Sequence, residues 1–266
     1  MAVSGNLHTY QDNHALKEAV ISFTVSPQIT NPSLYSQLIN EGNPLSGVYH
    51  KFEPVKIREF KINHDITGTN TSIDTSNVAG FKLIAFKSGK TCNIIQGLPQ
   101  PRFSVFTFNT VNYEGWNSFK SDSLIAAKII ANFQNIYTVS AFSIMFIDEF
   151  YFEDEKDYVP NVLFNINSNC LPKGIEDSDF VDFNFNLRRH NNNKNYFENV
   201  SIKVFTDGKR KTIRIIGNLT FQISPLPFTI LLNASDLEEY LDFGHLENKK
   251  MLRDILNPKI IEIIKL

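Results

Sequence analysis

Between residues 102 and 154 the chain runs strand, amphipathic helix, strand with little spacer, and this order sets what the rest can fold into. In the first strand, Phe106 and Phe108 share one side, while Phe103, Val105 and Thr107 share the other. Successive strand side chains point to opposite faces. Apolar residues on both faces therefore predict a central strand covered on both sides. Trp116, Phe119, Ser123, Ala126, Ala127 and Ile130 then recur at helical spacing, and Leu124, Ile125 and Ile129 widen the stripe. A helix is expected from about Gly115 to Phe133. Residues 137–152 read as one long strand, with Val139, Ala141, Ser143, Met145 and Ile147 on one side. Phe142, Ile144, Phe146 and Asp148 lie on the other.

The flanking sequence adds strands and helices. Residues 16–25 alternate as a strand that Pro27 stops. Asn31-Pro32 predicts a helix start carrying Leu34, Tyr35, Leu38 and Ile39, ended by Gly42 and Pro44. Val48, Phe52, Val55, Ile57, Phe60 and Ile62 predict one or two strands. The polar residues 67–77 predict a loop or a long hairpin tip. Residues 81–86 and 92–95 flank Lys87-Ser88-Gly89-Lys90 as a hairpin. Gly89-Lys90-Thr91 imitates the end of a phosphate-binding loop, but position 84, where that loop needs glycine, is Ile84.

Residues 155–178 read as a linker rich in Asn, Pro and acids. Beyond it strands are predicted at 181–187, 200–205, 212–216, 219–223 and 228–232. Asp207-Gly208 predicts a tight hairpin with positive φ at both residues. Ser235 with Glu238 predicts a capping box, Gly244 a helix break, and Pro258 the start of a last helix. The fold class is thus α+β: antiparallel sheets with helices packed on one face, in two intimately packed lobes. The lobes are placed at 1–155 and 175–266, with a linker at about 156–174.

The composition narrows function. At 266 residues, 42% hydrophobic and 20% charged, the chain is too apolar to be disordered. A net charge of −2 argues against a dedicated nucleic-acid coat. Cys92 and Cys170 form no CxxC, so neither a disulfide framework nor a cysteine-zinc site is expected. No signal peptide or membrane span is read, and a cytoplasmic location without membrane partners is expected. The sequons at Asn70, Asn199, Asn218 and Asn233 then read as chance matches.

No catalytic motif and no cofactor site is found, and the chain is read as more plausibly not an enzyme. The six histidines show no HxH or HExxH spacing. The acids Asp148, Glu149, Glu153, Asp154, Glu155 and Asp157 read as a solvated strand exit. Asp148 and Glu149 are the candidate ligands were a metal bound there. Arg188, Arg189, Lys209, Arg210, Lys211 and Arg214 form a basic cluster that could bind an acidic partner or nucleic acid. The bland alternative is a solvated sheet face guarded against edge pairing. Tyr113, Gly115, Trp116 and Phe119 read as a structural corner that anchors helix to sheet.

The residues 16–25 (LKEAVISFTV), Tyr113-x-Gly115-Trp116 with Phe119, and residues 144–148 (IMFID) resemble a sporadically distributed bacterial family of uncharacterised function and similar length. Its pattern joins a Y-x-G-W-x-x-F helix start to an L-R-Y-I-N-like strand. Met145-Phe146-Ile147-Asp148 stands where that strand has Arg-Tyr-Ile-Asn, so no role of its arginine or asparagine carries over. The resemblance implies no catalytic residues, and the patchy distribution is analogous to that of defence and toxin–antitoxin genes. The function expected is a non-enzymatic binding protein: an accessory, sensor or neutralising component of such a system, with a protein partner. The alternatives are a metal-dependent enzyme on nucleic acid or nucleotides, and a structural subunit, for which homo-oligomerisation is an option.

Overall fold

The structure is a computed structural model that describes residues 2–4, 6–11, 14–56, 59–65, 68–74, 78–171, 173–175, 182–192 and 194–266. Ile57 and Val181, placed on strands by their pattern, lie outside these residues. The chain opens with β1 (Ala2–Ser4), β2 (Leu7–Thr9) and β3 (Leu16–Ser26), then a 3₁₀ helix (Pro32–Ile39). Next come β4 (Lys51–Lys56), β5 (Glu59–Asp65), β6 (Gly68–Asp74), β7 (Val78–Lys87), β8 (Lys90–Pro99) and β9 (Ser104–Thr110). The helix α1 (Trp116–Phe133) leads into β10 (Thr138–Phe152), a 3₁₀ turn (Glu155–Asp157) and α2 (Pro160–Leu163). Then follow β11 (Phe183–Asn191), β12 (Tyr196–Asp207), β13 (Arg210–Pro227), α3 (Phe228–Leu231), α4 (Ser235–Ile255) and α5 (Pro258–Ile263).

Eleven of the described strands form one antiparallel sheet, with the path β11-β12-β13-β10-β3-β9-β8-β7-β4. β10 is an inner strand, fourth in this path, paired with β13 along one edge. Along its other edge it pairs first with β3 and then, from Phe150 to Phe152, with β2. The antiparallel α+β class is therefore observed. β5 and β6 pair with each other in register from Glu59↔Asp74 to Asp65↔Gly68, so the hairpin option holds for the described part of residues 67–77.

The core divides into two clusters. One gathers Phe23, Phe81, Phe106, Phe108, Phe142 and Phe146 with α1. At its centre Tyr35 stacks on Phe81 at 4.1 Å and its hydroxyl meets that of Tyr137 at 2.8 Å. The other gathers Phe150, Phe152, Val200, Ile202, Ile213 and Ile215 with the second half of α4 and α5. The segment read as a linker belongs to this second core: Tyr158, Leu163, Phe164, Cys170 and Ile175 are buried. Asn165 accepts from the Asn167 amide at 3.2 Å and holds a turn, while the apolar residues on either side anchor the segment.

Local predictions fail where packing overrides propensity. Val48 sits in a turn, and residues 32–39 wind as 3₁₀ with no side-chain cap from Asn31. β9 alternates buried and half-buried, so only one of its faces is closed. The two-residue loop between β12 and β13 is Gly208-Lys209, since Asp207 pairs with Arg210; only Gly208 takes positive φ, at 65°. Residues 228–231 are helical, because the chain must turn off β13, and Phe228 is buried where it turns. Ser235 is the first helical residue, behind the N-cap Ala234, so no capping box forms. The helix runs straight through Gly244. An alanine Cβ there would lie 2.5 Å from Ile144 Cδ1, so glycine lets α4 press onto β10.

Gly217 does the same from the sheet side, where a Cβ would lie 2.2 Å from Asn248 Oδ1 and 2.5 Å from Met251 Cε. Gly217→Val is therefore expected to destabilise the fold by about 2–3 kcal/mol through overpacking. Urea unfolding would show it as a lowered midpoint, and an unchanged midpoint would mean that α4 is not seated on Gly217.

Candidate ligand cavity

The corner before α1 fixes the site. Gly115 has φ of 137°, a conformation side-chain-bearing residues avoid, and the helix starts at the next residue. Trp116 then stacks on His245 of α4, with ring centroids 4.6 Å apart and planes 9° from parallel. It also packs on Phe146 of β10 and on Phe119, which lies behind it in the core. Its indole N–H donates to Asp242 Oδ1 at 2.6 Å, and Lys120 Nζ donates to both Asp242 oxygens at 2.8 Å. Burial pushes the Asp242 carboxyl up, but these donors together outweigh it and hold it below its ordinary value. Helix α1 and helix α4 are thus clamped side by side. Tyr113, before the corner, has its ring centroid 6.3 Å from that of Phe119.

Beside the clamp opens a cavity of about 390 Å³. Tyr113, Trp116 and Phe146 give it aromatic walls, and His14, His245, Asn248, Lys249 and Lys265 also line it. Asp148 lies within this lining and is only 5% exposed. It has no hydrogen bond and no ion pair among the described residues. Burial pushes its carboxyl up to about 7. Burial, and then the nearby Asp148 charge, push the Tyr113 hydroxyl up to about 12. Burial foremost, and the Lys249 ammonium second, bring His245 down to about 4 against the pull of Asp242. Burial lowers His14 as well, against a backbone hydrogen bond at Leu16. Both imidazoles are accordingly neutral at pH 7, and the Nδ1 of each is buried without a partner among the described residues.

Asp148 and Glu149 are not brought together. They are neighbours on a strand and face opposite sides of the sheet. Glu149 accepts from Lys17 Nζ at 2.9 Å and from Arg214 Nη2 at 2.7 Å, a three-residue ion cluster. A shared metal ion would need both carboxylates on one side. The basic cluster is also dispersed. Arg189 reaches Glu198 at 3.7 Å and Arg210 reaches Glu153 at 3.3 Å. Lys211, only 2% exposed, pairs with Asp182 at 2.9 Å and is held on the side opposite Arg214. Arg188 lies over the Phe197 ring at 4.6 Å, and Lys209 sits in the exposed turn.

Sequence reasoning brought Asp148, Tyr113 and Trp116 into view but not as one site. It missed His245, Asn248, Lys249 and Lys265, which reach the cavity from α4 and the segment after α5. The one available signal was an acid in phase with Phe142, Ile144 and Phe146 on the apolar side of a strand. Among the described residues, no helix is long and apolar enough to cross a membrane. Compared with protein-family models, curated proteins and solved structures, the chain matches none of them.

Asp148 has a consequence for stability. Below about pH 4 it is protonated in both the folded and the unfolded chain and has no effect. As pH rises, the unfolded carboxyl ionises first, so stability falls until the folded group ionises near its value of about 7. Asp148→Asn removes this loss. The variant is expected to gain on the order of 4 kcal/mol over the parent above pH 7 and little at pH 4. Denaturation midpoints of the two proteins across that range check it.

Proposed function

We propose that this chain is a non-enzymatic binding protein and that the cavity beneath Trp116 is its ligand site. The observation that supports this most is Asp148. A buried carboxyl without a partner is costly, and a fold that keeps one on the wall of an open cavity stores a binding opportunity. Aromatic walls and a small number of convergent polar groups are the usual make-up of a small-molecule site. The reading fits the sensor role among those expected from the resemblance to a patchily distributed bacterial family: a ligand signal passed to a protein partner in a defence or toxin–antitoxin system.

The same reading takes the architecture as two lobes that share one sheet, with helices packed on one face. The strand order supports it. Outward from the β3–β10 pair, each half runs strand, short helix, strands, helix: β3 with β9, β8, β7, β4 and α1, then β10 with β13, β12, β11 and α4. The cavity would lie where the helices of the two halves meet, at the Trp116–His245 stack. A ligand there would change how tightly α1 and α4 hold each other, and so would alter the surface a partner meets.

The chain contains a single tryptophan, which makes Trp116 a reporter of occupancy. Fractions of a cellular small-molecule extract are expected to shift its fluorescence. The shift should disappear in Asp148→Asn, whose circular dichroism should remain that of the parent. A folded protein whose emission no fraction moves would not be a sensor of this kind.

A further inference from the structure

The charges around the cavity say more about what it would hold. Asp148 lies in its wall, buried and uncompensated. Tyr113, Trp116 and Phe146 line the same cavity, and the face of an aromatic ring attracts a cation. Two lysines, half-buried Lys249 and exposed Lys265, line the same cavity. Neither has an ion-pair partner among the described residues. Glu114, the other acidic side chain of the lining, is already paired with Lys87, and the Leu266 carboxyl oxygen accepts from Arg253 Nη2 at 2.9 Å. The cavity therefore has one unmet negative charge on a buried side chain and two unmet positive charges on less buried ones.

From this segregation we infer that the ligand is a small zwitterion, with an ammonium head at Asp148 and an anionic tail at Lys249 and Lys265, in the manner of a short amino acid. This rests on the reading of the cavity as a ligand site and adds the ligand's chemical class. A plain cation would satisfy the carboxylate but meet the lysines on its way in. A plain anion would satisfy the lysines and leave Asp148 buried and charged. A ligand with both charges a few bonds apart meets both demands, and each charge-assisted contact is stronger than a neutral one. A cavity of about 390 Å³ leaves ample room for such a molecule. The other titratable groups that line the cavity with Asp148 are His14 just before β3, Tyr113 before α1 and His245 from α4. With both imidazoles and the phenol neutral, none of them supplies a counter-charge to Asp148 once it ionises above about 7.

The test uses the whole chain, Trp116 fluorescence and three probes of equal length: 4-aminobutyrate, butylammonium and butyrate. At pH 8, 4-aminobutyrate is expected to bind most tightly, with a dissociation constant of about 1 mM or below, which a molecule of this size can supply. Butylammonium should bind at least about tenfold more weakly, and butyrate should not bind measurably. Asp148→Asn, expected to be folded and more stable than the parent, should abolish binding of both amines. Lys249→Met should weaken 4-aminobutyrate several-fold and leave butylammonium unchanged or tighter. Affinity of the parent for 4-aminobutyrate should fall about tenfold per unit as pH drops well below 7, as Asp148 takes up its proton. Butyrate binding as well as 4-aminobutyrate, or amine binding indifferent to Asp148→Asn, would overturn the zwitterion. If no probe moves Trp116 but an extract fraction does, the ligand class is wrong and the cavity remains a binding site. If neither does, both ideas fall together.

Discussion

Strand β10 carries hydrogen bonds on both edges over almost its whole length, to β13 on one side and to β3 and β2 on the other. The two halves of the chain meet only through such a strand in this sheet order, so its registry fixes the place of everything else. Its side chains alternate without exception between Phe142 and Asp148, and a slip of one residue would send four buried positions to the opposite face. The alternation also decides the electrostatics. Asp148 goes with the phenylalanines and loses its solvent, while Glu149, one residue on, meets Lys17 and Arg214.

Helix α4 presses closely onto the sheet, and the cavity lies beside that contact. Gly244 and Gly217 permit the close contact on Ile144 and beneath Asn248. From the same stretch of α4, His245 stacks on Trp116, and both rings pack on Phe146 of β10. Stacked and tilted aromatic pairs contribute roughly 0.5–1.5 kcal/mol each beyond the area they bury. That gain, together with the Lys120–Asp242–Trp116 hydrogen bonds, offsets part of what the unpaired acid costs. Binding groups placed on rigid elements hold their geometry better than groups on loops. Here Asp148 is on a central strand and His245, Asn248 and Lys249 on a long helix.

Much of this was legible in the chain. The strand–helix–strand order of residues 102–154, the Ser88-Gly89 hairpin and the start of α1 at Trp116 follow from side-chain period and turn chemistry, which are local. The failures share a cause. Gly244 reads as a helix breaker because its flexibility is a local property, whereas its service as a contact point on Ile144 is a property of the fold. Residues 228–231 have strand-forming side chains but turn into helix once the preceding strand must end. The basic residues cluster along the sequence and disperse in space, because strand neighbours alternate faces and Glu153, Glu198 and Asp182 come to meet them.

By itself the sequence determined the α+β class, one long strand at residues 137–152, and the presence of an acid in phase with that strand's apolar side. These depend on period-2 and period-3.6 patterning, which any short window carries. Only the tertiary structure decided that Tyr113, Trp116, Asp148 and His245 share one cavity, and that Asp148 is left there without a partner. Whether a carboxyl is solvated, paired or stranded depends on what lies within a few ångströms of it. For Asp148 those neighbours come from positions almost a hundred residues away in α4, which no local pattern records.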